Sequence, residues 1–160
     1  MGVLKRVLFI KIDNCLLFVT TFIAALSVEE KTDVLKNAWQ PDIHFRFPSS
    51  GPRNLKFQLS WLRDYEWLRY SAIEDGAYCL WCAVFAANSG VGKGGHESAG
   101  LLVKSKFCNW KKAKETFTNH GNSKFHDSSR LFAANFLSVS SGQTDSIHAQ
   151  IDSALKREVQ

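Results

Sequence analysis

The spacing of apolar residues along the chain predicts short helices and one strand or hairpin. Between residues 57 and 71, aromatic and aliphatic side chains recur every three or four positions, which predicts a short helix with an aromatic face. Residues 77–85 are rich in aromatic and β-favouring side chains and follow a turn signal at 74–76, so a short strand or hairpin is expected. The same spacing predicts two further helices, at 110–121 and at about 127–137. These elements predict a small α+β module in which a short hairpin packs on one or two helices.

The flanking segments carry weaker signals and are expected to be irregular or disordered. The apolar run at 15–26 is uninterrupted for twelve residues, whereas a membrane span needs about 20, so no span is expected. The run fits the apolar centre of a signal peptide, an amphipathic helix or an incidental leader, and these readings stay open. Gly and Ser dominate 88–100, which predicts a mobile loop. We divide the chain into a leader and polar segment at 1–37, a folded module at 38–137 and a Ser-rich tail at 138–160.

Length and composition agree with one folded module. The chain has 160 residues, of which 45% are hydrophobic and 22% are charged. These values are close to those of globular domains and argue against wholesale disorder or a coiled coil. A chain of this length is too short for a catalytic domain and a separate recognition domain.

Positive charge is concentrated in one stretch of the chain. Residues 101–130 hold seven Lys and Arg against two Asp and Glu, a net +5 that equals the net charge of the whole chain. A focused basic patch is typical of a protein with a polyanionic partner, although a solvated Lys-rich helix face has the same composition. The candidate DNA contacts are Lys104, Lys106, Lys111, Lys112, Lys114, Lys124 and Arg130.

Two cysteines and two histidines have the spacing of metal ligands. Cys79 and Cys82 are separated by two residues, so that a tight turn aims two thiolates at one ion. His120 and His126 have five residues between them, at the upper edge of the spacing of paired histidine ligands. We expect these four residues to hold one structural zinc ion (Zn2+), since four protein ligands leave no position for a water molecule. A redox dithiol, or two core cysteines with two surface histidines, are the alternatives.

Cys108 is the main rival as a ligand. If residues 109–120 are helical, Cys108 and His120 stand about 18 Å apart at about 1.5 Å per residue, so that one ion cannot bind both. The remaining cysteine and histidines have no partner at ligand spacing and are interpreted as structural or incidental: Cys15, His44, His96 and His148.

Four segments in this order resemble the TTF-type zinc finger of hAT-transposase-like and zinc finger MYM-type proteins. They are WQPDIHFRFP, SWLRDYEWLRYS, DGAYCLWCAVF and KFCNWKKAKETFTNHGNSKFH, which together cover roughly residues 38–137. The resemblance implies that Cys79, Cys82, His120 and His126 occupy the family's metal-ligand positions. It also implies that NWKKA belongs to the family's signature helix.

The chain departs from that family at three points. Glu66 stands where the family usually has Pro, and Trp81 stands inside the cysteine pair where Phe is commoner. Such proteins usually continue into a ribonuclease-H-like transposase domain and a dimerisation region, for which 160 residues leave no room. We therefore expect a domesticated fragment, a truncated element or part of a longer chain.

The sequence thus predicts a zinc-dependent module that binds duplex DNA and acts in the nucleus. The alternative is a zinc-stabilised protein-interaction module that docks a partner through Trp61, Tyr65 and Trp67. A functional leader would instead send the chain to the secretory route. No nucleophile and base pair and no phosphate-binding loop accompany the carboxylates of 64–75, so neither enzyme activity nor a small-molecule substrate is expected.

Overall fold

The computed structural model describes residues 26–49, 52–85 and 101–142. In chain order its elements are helix α1 (Val28–Asn37), helix α2 (Ser60–Asp64), strand β1 (Leu68–Ser71), strand β2 (Gly76–Cys79), helix α3 (Leu80–Phe85), a 3-10 turn (Trp110–Lys112), helix α4 (Ala113–Gly121) and helix α5 (Lys124–Ser140). The α+β prediction is confirmed. The loop predicted at 88–100 lies outside the described residues, as does the apolar run at 15–26 apart from Leu26.

The cysteine pair begins at the end of a hairpin. Strands β1 and β2 are antiparallel, with Leu68 opposite Cys79. The hydroxyl of Tyr70 donates a hydrogen bond to the carboxylate of Asp75 in the connecting turn (2.6 Å). All eight strand residues are buried, so both faces of the hairpin are covered by protein.

Residues 101–107 cover the free edge of β2. Phe107 and Ala77 exchange two backbone hydrogen bonds of 2.8 and 3.0 Å. The backbone N–H of Cys79 donates to the carbonyl of Leu102 at 2.7 Å. These bonds fix the end of β2, where the first cysteine lies.

Two predicted elements have different bounds in the structure. The helix expected over 57–71 ends at Asp64, and Leu68–Ser71 forms β1 instead. In β1 the apolar Leu68 and Tyr70 alternate with the polar Arg69 and Ser71, but this strand has only four residues. The spacing of Trp61, Tyr65 and Leu68 also fits a helix, and that longer pattern led to the helix prediction. The strand expected over 77–85 ends at Cys79, and α3 follows without a break. A short, continuously apolar run does not distinguish a buried strand from a buried helix.

Helices α4 and α5 agree more closely with the sequence pattern. The 3-10 turn and α4 cover the helix predicted at 110–121, and α5 extends the one predicted at 127–137 at both ends. On the first of these, Trp110 and Phe117 are buried and face the core. The lysines between them are exposed, as the helical period predicts.

Buried side chains form two clusters. The larger, which we call the aromatic core, has sixteen buried residues between Phe57 and Phe125, including both cysteines of the pair. In its centre Trp61 lies 5.6 Å from Phe117 and 6.1 Å from Trp110 between ring centroids. The smaller, the aliphatic cluster, consists of eight buried residues: Leu26, Val34, Leu35, Leu80, Ala83, Val84, Phe85 and Ala133.

Helix α1 lies before the predicted module boundary at residue 38 but belongs to this packing. It begins with a capping box, in which the N–H of Glu30 donates to the Ser27 hydroxyl and that of Ser27 donates to the Glu30 carboxylate. Val34 and Leu35 bury its apolar side in the aliphatic cluster. The boundaries at 38 and 137 stay predictions. In the part of the chain that the structure describes, no helix is both long and apolar enough to cross a bilayer.

Candidate metal centre

Two thiols come together where β2 runs into α3. Cys79 is the last residue of β2, and Cys82 lies in the first turn of α3. The backbone N–H of Cys82 donates to the Sγ of Cys79 at 3.4 Å. Both side chains are fully buried, at 0% exposure. The two-residue spacing therefore produces the turn that the sequence predicts.

Two imidazoles approach from the junction of α4 and α5. His120 lies in the last turn of α4 and His126 in the first turn of α5. Ser123 connects the two, because its hydroxyl donates to the carbonyl of His120 (2.8 Å) and accepts from the N–H of His126 (3.1 Å). This residue caps α5 and fixes the angle between the two helices at the site.

The four candidate ligand atoms lie close together in the interior. All lie within 4.8 Å of one another. The Sγ of Cys79 is 3.4 Å from the Nδ1 of His126, and the Sγ of Cys82 is 3.5 Å from the Nε2 of His120 and 3.6 Å from the Nδ1 of His126. Zinc bonds of about 2.3 Å to sulfur and about 2.0–2.1 Å to nitrogen, at tetrahedral angles, place S and N about 3.5–3.6 Å apart. Cys79, Cys82, His120 and His126 could therefore hold one metal ion.

Tryptophan rings pack against the two imidazoles. The ring centroid of Trp67 lies 4.9 Å from that of His120 and 5.0 Å from that of His126. The ring centroid of Trp81 lies 5.6 Å from that of His126. His126 is 3% exposed, so the site is largely shielded from water. The rings restrict rotation of the imidazoles and hold them in the orientation that the ligand geometry requires.

The pKa values of the two thiols are shifted in opposite directions. Hydrogen bonds with the Cys79 thiol, and then with His120 and His126, lower the pKa of Cys82 to about 3 despite its burial. Burial, followed by the hydrogen bond with Cys82, raises the pKa of Cys79 well above its usual value. The pair on its own thus favours one thiolate. Binding of a dication supplies the charge that stabilises a second, since thiols bind metals in the deprotonated form.

Arg69 is a buried cation close to this centre. One of its guanidinium nitrogens donates to the carbonyls of Glu66 and Leu68, at 2.7 and 2.6 Å. Burial lowers the pKa of Arg69, and the electrostatic interaction with Cys79 acts in the opposite direction. Nothing in the sequence distinguishes this arginine from the exposed ones, because its burial depends on the hairpin.

The remaining candidate ligands lie elsewhere or outside the described residues. Cys108 is exposed and is no member of the cluster, which agrees with its predicted exclusion. His44 is also exposed. Cys15, His96 and His148 lie outside the described residues.

The basic candidates are all exposed, but two of them already bind groups of this chain. Lys106 donates to the carbonyl of Glu74 at 2.7 Å. Arg130 pairs with Asp127, also at 2.7 Å. The other five make no ion pair with a described residue: Lys104, Lys111, Lys112, Lys114 and Lys124.

The aromatic docking surface suggested by the sequence is wrong. Trp61 and Trp67 are each 6% exposed, and Tyr65 is half-buried. Their rings pack around Phe117 at 5.3 to 6.0 Å. The helical spacing that suggested an exposed aromatic stripe instead builds the aromatic core.

Comparison of the chain with protein-family models, curated proteins and solved structures gives no match.

Proposed function

We propose that this protein is a zinc-dependent module that binds duplex DNA and derives from the amino-terminal part of a hAT-like transposase, without the catalytic domain. The observation that carries the proposal is the Cys2His2 cluster, whose member His120 lies on a helix with an exposed basic face. The origin rests on the resemblance of residues 38–137 to the TTF-type zinc finger.

The donor set favours zinc over other common ions. Two thiolates and two imidazoles in a tetrahedron suit zinc, whereas calcium and magnesium prefer oxygen ligands in larger coordination shells. With four protein ligands the ion has a structural role, and no activated water is available to it. When bound, the ion cross-links the β2–α3 turn to the α4–α5 junction. The protein is then a binding module and not an enzyme.

The exposed face of the 3-10 turn and α4 provides the DNA contacts. Lys111, Lys112 and Lys114 lie on the solvent side, opposite the buried Trp110 and Phe117. They can reach phosphates without disturbing His120, the one candidate ligand on this helix, which lies in its last turn. Phosphate contacts of this kind supply most of the non-specific affinity for duplex DNA. Lys106 and Arg130 are expected to contribute less, because each already binds a group of this chain.

The test compares two charge-matched variants of the zinc-loaded full chain. Lys111→Gln/Lys112→Gln removes two positive charges from the proposed interface, and Lys31→Gln/Lys36→Gln removes two from α1. Binding to a short labelled duplex is followed by fluorescence anisotropy across a salt series. We expect the first variant to reduce the magnitude of the slope of log K against log salt by about 0.9 for each phosphate that it no longer neutralises, and the second to leave the slope unchanged.

Equal slopes for the wild type and the Lys111→Gln/Lys112→Gln variant would show that these lysines do not belong to the DNA interface.

For the location of the protein we propose the nucleus, where DNA is present and the cysteines stay reduced. Imaging of the chain tagged at its carboxyl terminus tests this. A secreted product whose mature amino terminus lies near Val28 would contradict it.

A further inference from the structure

A second group of basic side chains lies outside residues 101–130, the stretch in which the net positive charge is concentrated. Residues 43–63 contain Arg46, Arg53, Lys56 and Arg63 but no Asp or Glu. The first three are exposed, and none forms an ion pair with a described residue. Arg63 lies 3.8 Å from Asp64. The segment therefore presents three positive charges with no carboxylate partner among the described residues.

Ring packing in the core brings this segment into contact with the 3-10 turn that carries Lys111 and Lys112. The ring centroid of Phe47 lies 5.1 Å from that of Phe57, which in turn lies 5.6 Å from that of Trp110. Each of these three rings is preceded or followed in the chain by an exposed basic residue: Arg46, Lys56 and Lys111. Because the rings are in contact, the backbone segments that carry these three basic residues lie next to one another. More than fifty residues of sequence separate the two groups.

The surroundings of these charges suit the backbone of a duplex. Phosphates follow one another at about 3.4 Å of axial rise per strand, so a row of flexible basic side chains can contact several of them. Binding of a single strand normally relies on exposed aromatic rings on which bases stack. Here Phe57 is 1% exposed and Trp110 is 5% exposed, so neither is available to a base.

We propose that Arg46, Arg53 and Lys56 form a second phosphate-contact surface, continuous with Lys111 and Lys112, that binds the backbone of the same DNA duplex. The proposal rests on the proposed function and extends the interface from α4 to the segment before α2. The alternation of the segment supports it: Phe45 and Phe47 pack inward against Tyr70 at 5.9 and 4.9 Å, which turns Arg46 outward.

The experiment uses the same anisotropy measurement on the zinc-loaded full chain. Arg46→Gln/Lys56→Gln is compared with the control Lys31→Gln/Lys36→Gln, which removes the same charge from α1. We expect the first pair to reduce the magnitude of the salt slope by about 0.9 for each phosphate released and to weaken binding similarly on unrelated duplex sequences. Adding Arg53→Gln should reduce it by a further increment of about the same size. Zinc content is measured for every variant, to show that the fold is retained.

The outcomes separate this proposal from the one on which it rests. If Lys111→Gln/Lys112→Gln reduces the slope but Arg46→Gln/Lys56→Gln behaves like the control, the second surface is wrong and the DNA-binding function stands. If the wild-type chain does not bind duplex DNA, both proposals fail. Tighter binding to a single strand than to a duplex of the same sequence would also overturn the second surface, because a duplex backbone is the ligand that it requires.

Discussion

The aromatic core and the aliphatic cluster differ in how they depend on the metal centre. The aromatic core contains Cys79 and Cys82, and its remaining members include rings in mutual contact such as Trp61 and Phe117. The aliphatic cluster contains no ligand. Helix α5 belongs to both, since Phe125 lies in the first and Ala133 in the second. The comparison leads us to expect that a metal ion held at the start of α5 would also position the aliphatic cluster, in which no residue belongs to the candidate metal centre.

The largest effect is therefore expected from removal of the metal. Cys82→Ser, or chelation of the wild type, should abolish cooperative thermal unfolding of residues 75–130, since so small a region buries too little apolar surface to hold alone. Because α5 joins the two clusters, amide exchange should also accelerate at 133–140, beyond the ligands. Circular dichroism and hydrogen exchange measure the two effects.

Cys108→Ser is the matched control, because it removes an exposed thiol outside the ligand cluster. It should leave zinc content and melting unchanged. A zinc-free chain that keeps cooperative melting and slow exchange in α5 would show that the two clusters hold without the ion.

A second expected difference lies in the packing of the two clusters. Phe117 is 0% exposed and contacts rings on several elements, so Phe117→Ala should lower the free energy of unfolding by about 3–5 kcal/mol. Leu35 is 8% exposed and lies at the edge of the aliphatic cluster, so Leu35→Ala should cost about 2 kcal/mol, the lower end for such changes. Urea unfolding of the zinc-loaded variants measures both. Equal losses would show that the clusters are equally well packed.

The edge of the hairpin offers a smaller and more local effect. A Cβ on Gly76 would lie 2.6 Å from the Cβ of Lys106, which is too close to the backbone to move easily. Gly76→Ala should therefore destabilise the protein by about 1–3 kcal/mol, as overpacking does. In Gly121→Ala the nearest atom to the new methyl group is 3.8 Å away, on Trp67, so no such loss is expected. Thermal melting of both variants measures these losses. A Gly76→Ala protein that melts like the wild type would contradict the expected clash with the side chain of Lys106.

The smallest effects are expected from substitution of the two serines that cap helices. Ser27 caps α1 and Ser123 caps α5, so each change to Ala should cost about 1 kcal/mol. Only Ser123→Ala should also weaken metal binding, because Ser123 contacts the backbone of both histidine ligands. Competition with a chromophoric chelator measures zinc affinity. A similar loss of affinity in Ser27→Ala would mean that the caps act only through global stability.

The clustering of the four candidate ligands was predictable from the sequence because ligand chemistry is tied to local spacing. The two-residue gap of the cysteines is a property of one turn, and the helical period of 110–121 places His120 on the same face as Phe117. Ser123 and Arg69 were not predictable in these roles. Their positions depend on how α4 meets α5 and on how the hairpin is covered.

The sequence pattern failed where an element is short or where charge is averaged over a long window. Strand β1 has only four residues, so its alternation of apolar and polar side chains is brief, and Leu68 also fits the helical spacing of Trp61 and Tyr65. The basic residues of 43–63 are hidden in residues 1–100 as a whole, where 11 Lys and Arg nearly balance 10 Asp and Glu. The contact between Phe57 and Trp110, which the sequence does not reveal, brings their segment against the 3-10 turn that precedes α4.

X-ray absorption at the zinc edge of the purified, zinc-loaded chain tests the central claim most directly. The four-residue site predicts one zinc per chain, with two sulfur ligands at about 2.3 Å and two nitrogen ligands at about 2.0–2.1 Å. His126→Ala should leave both sulfur ligands and remove one nitrogen. A shell with three sulfur atoms, a shell of light atoms only, or a chain that binds no zinc would contradict a metal centre built from Cys79, Cys82, His120 and His126.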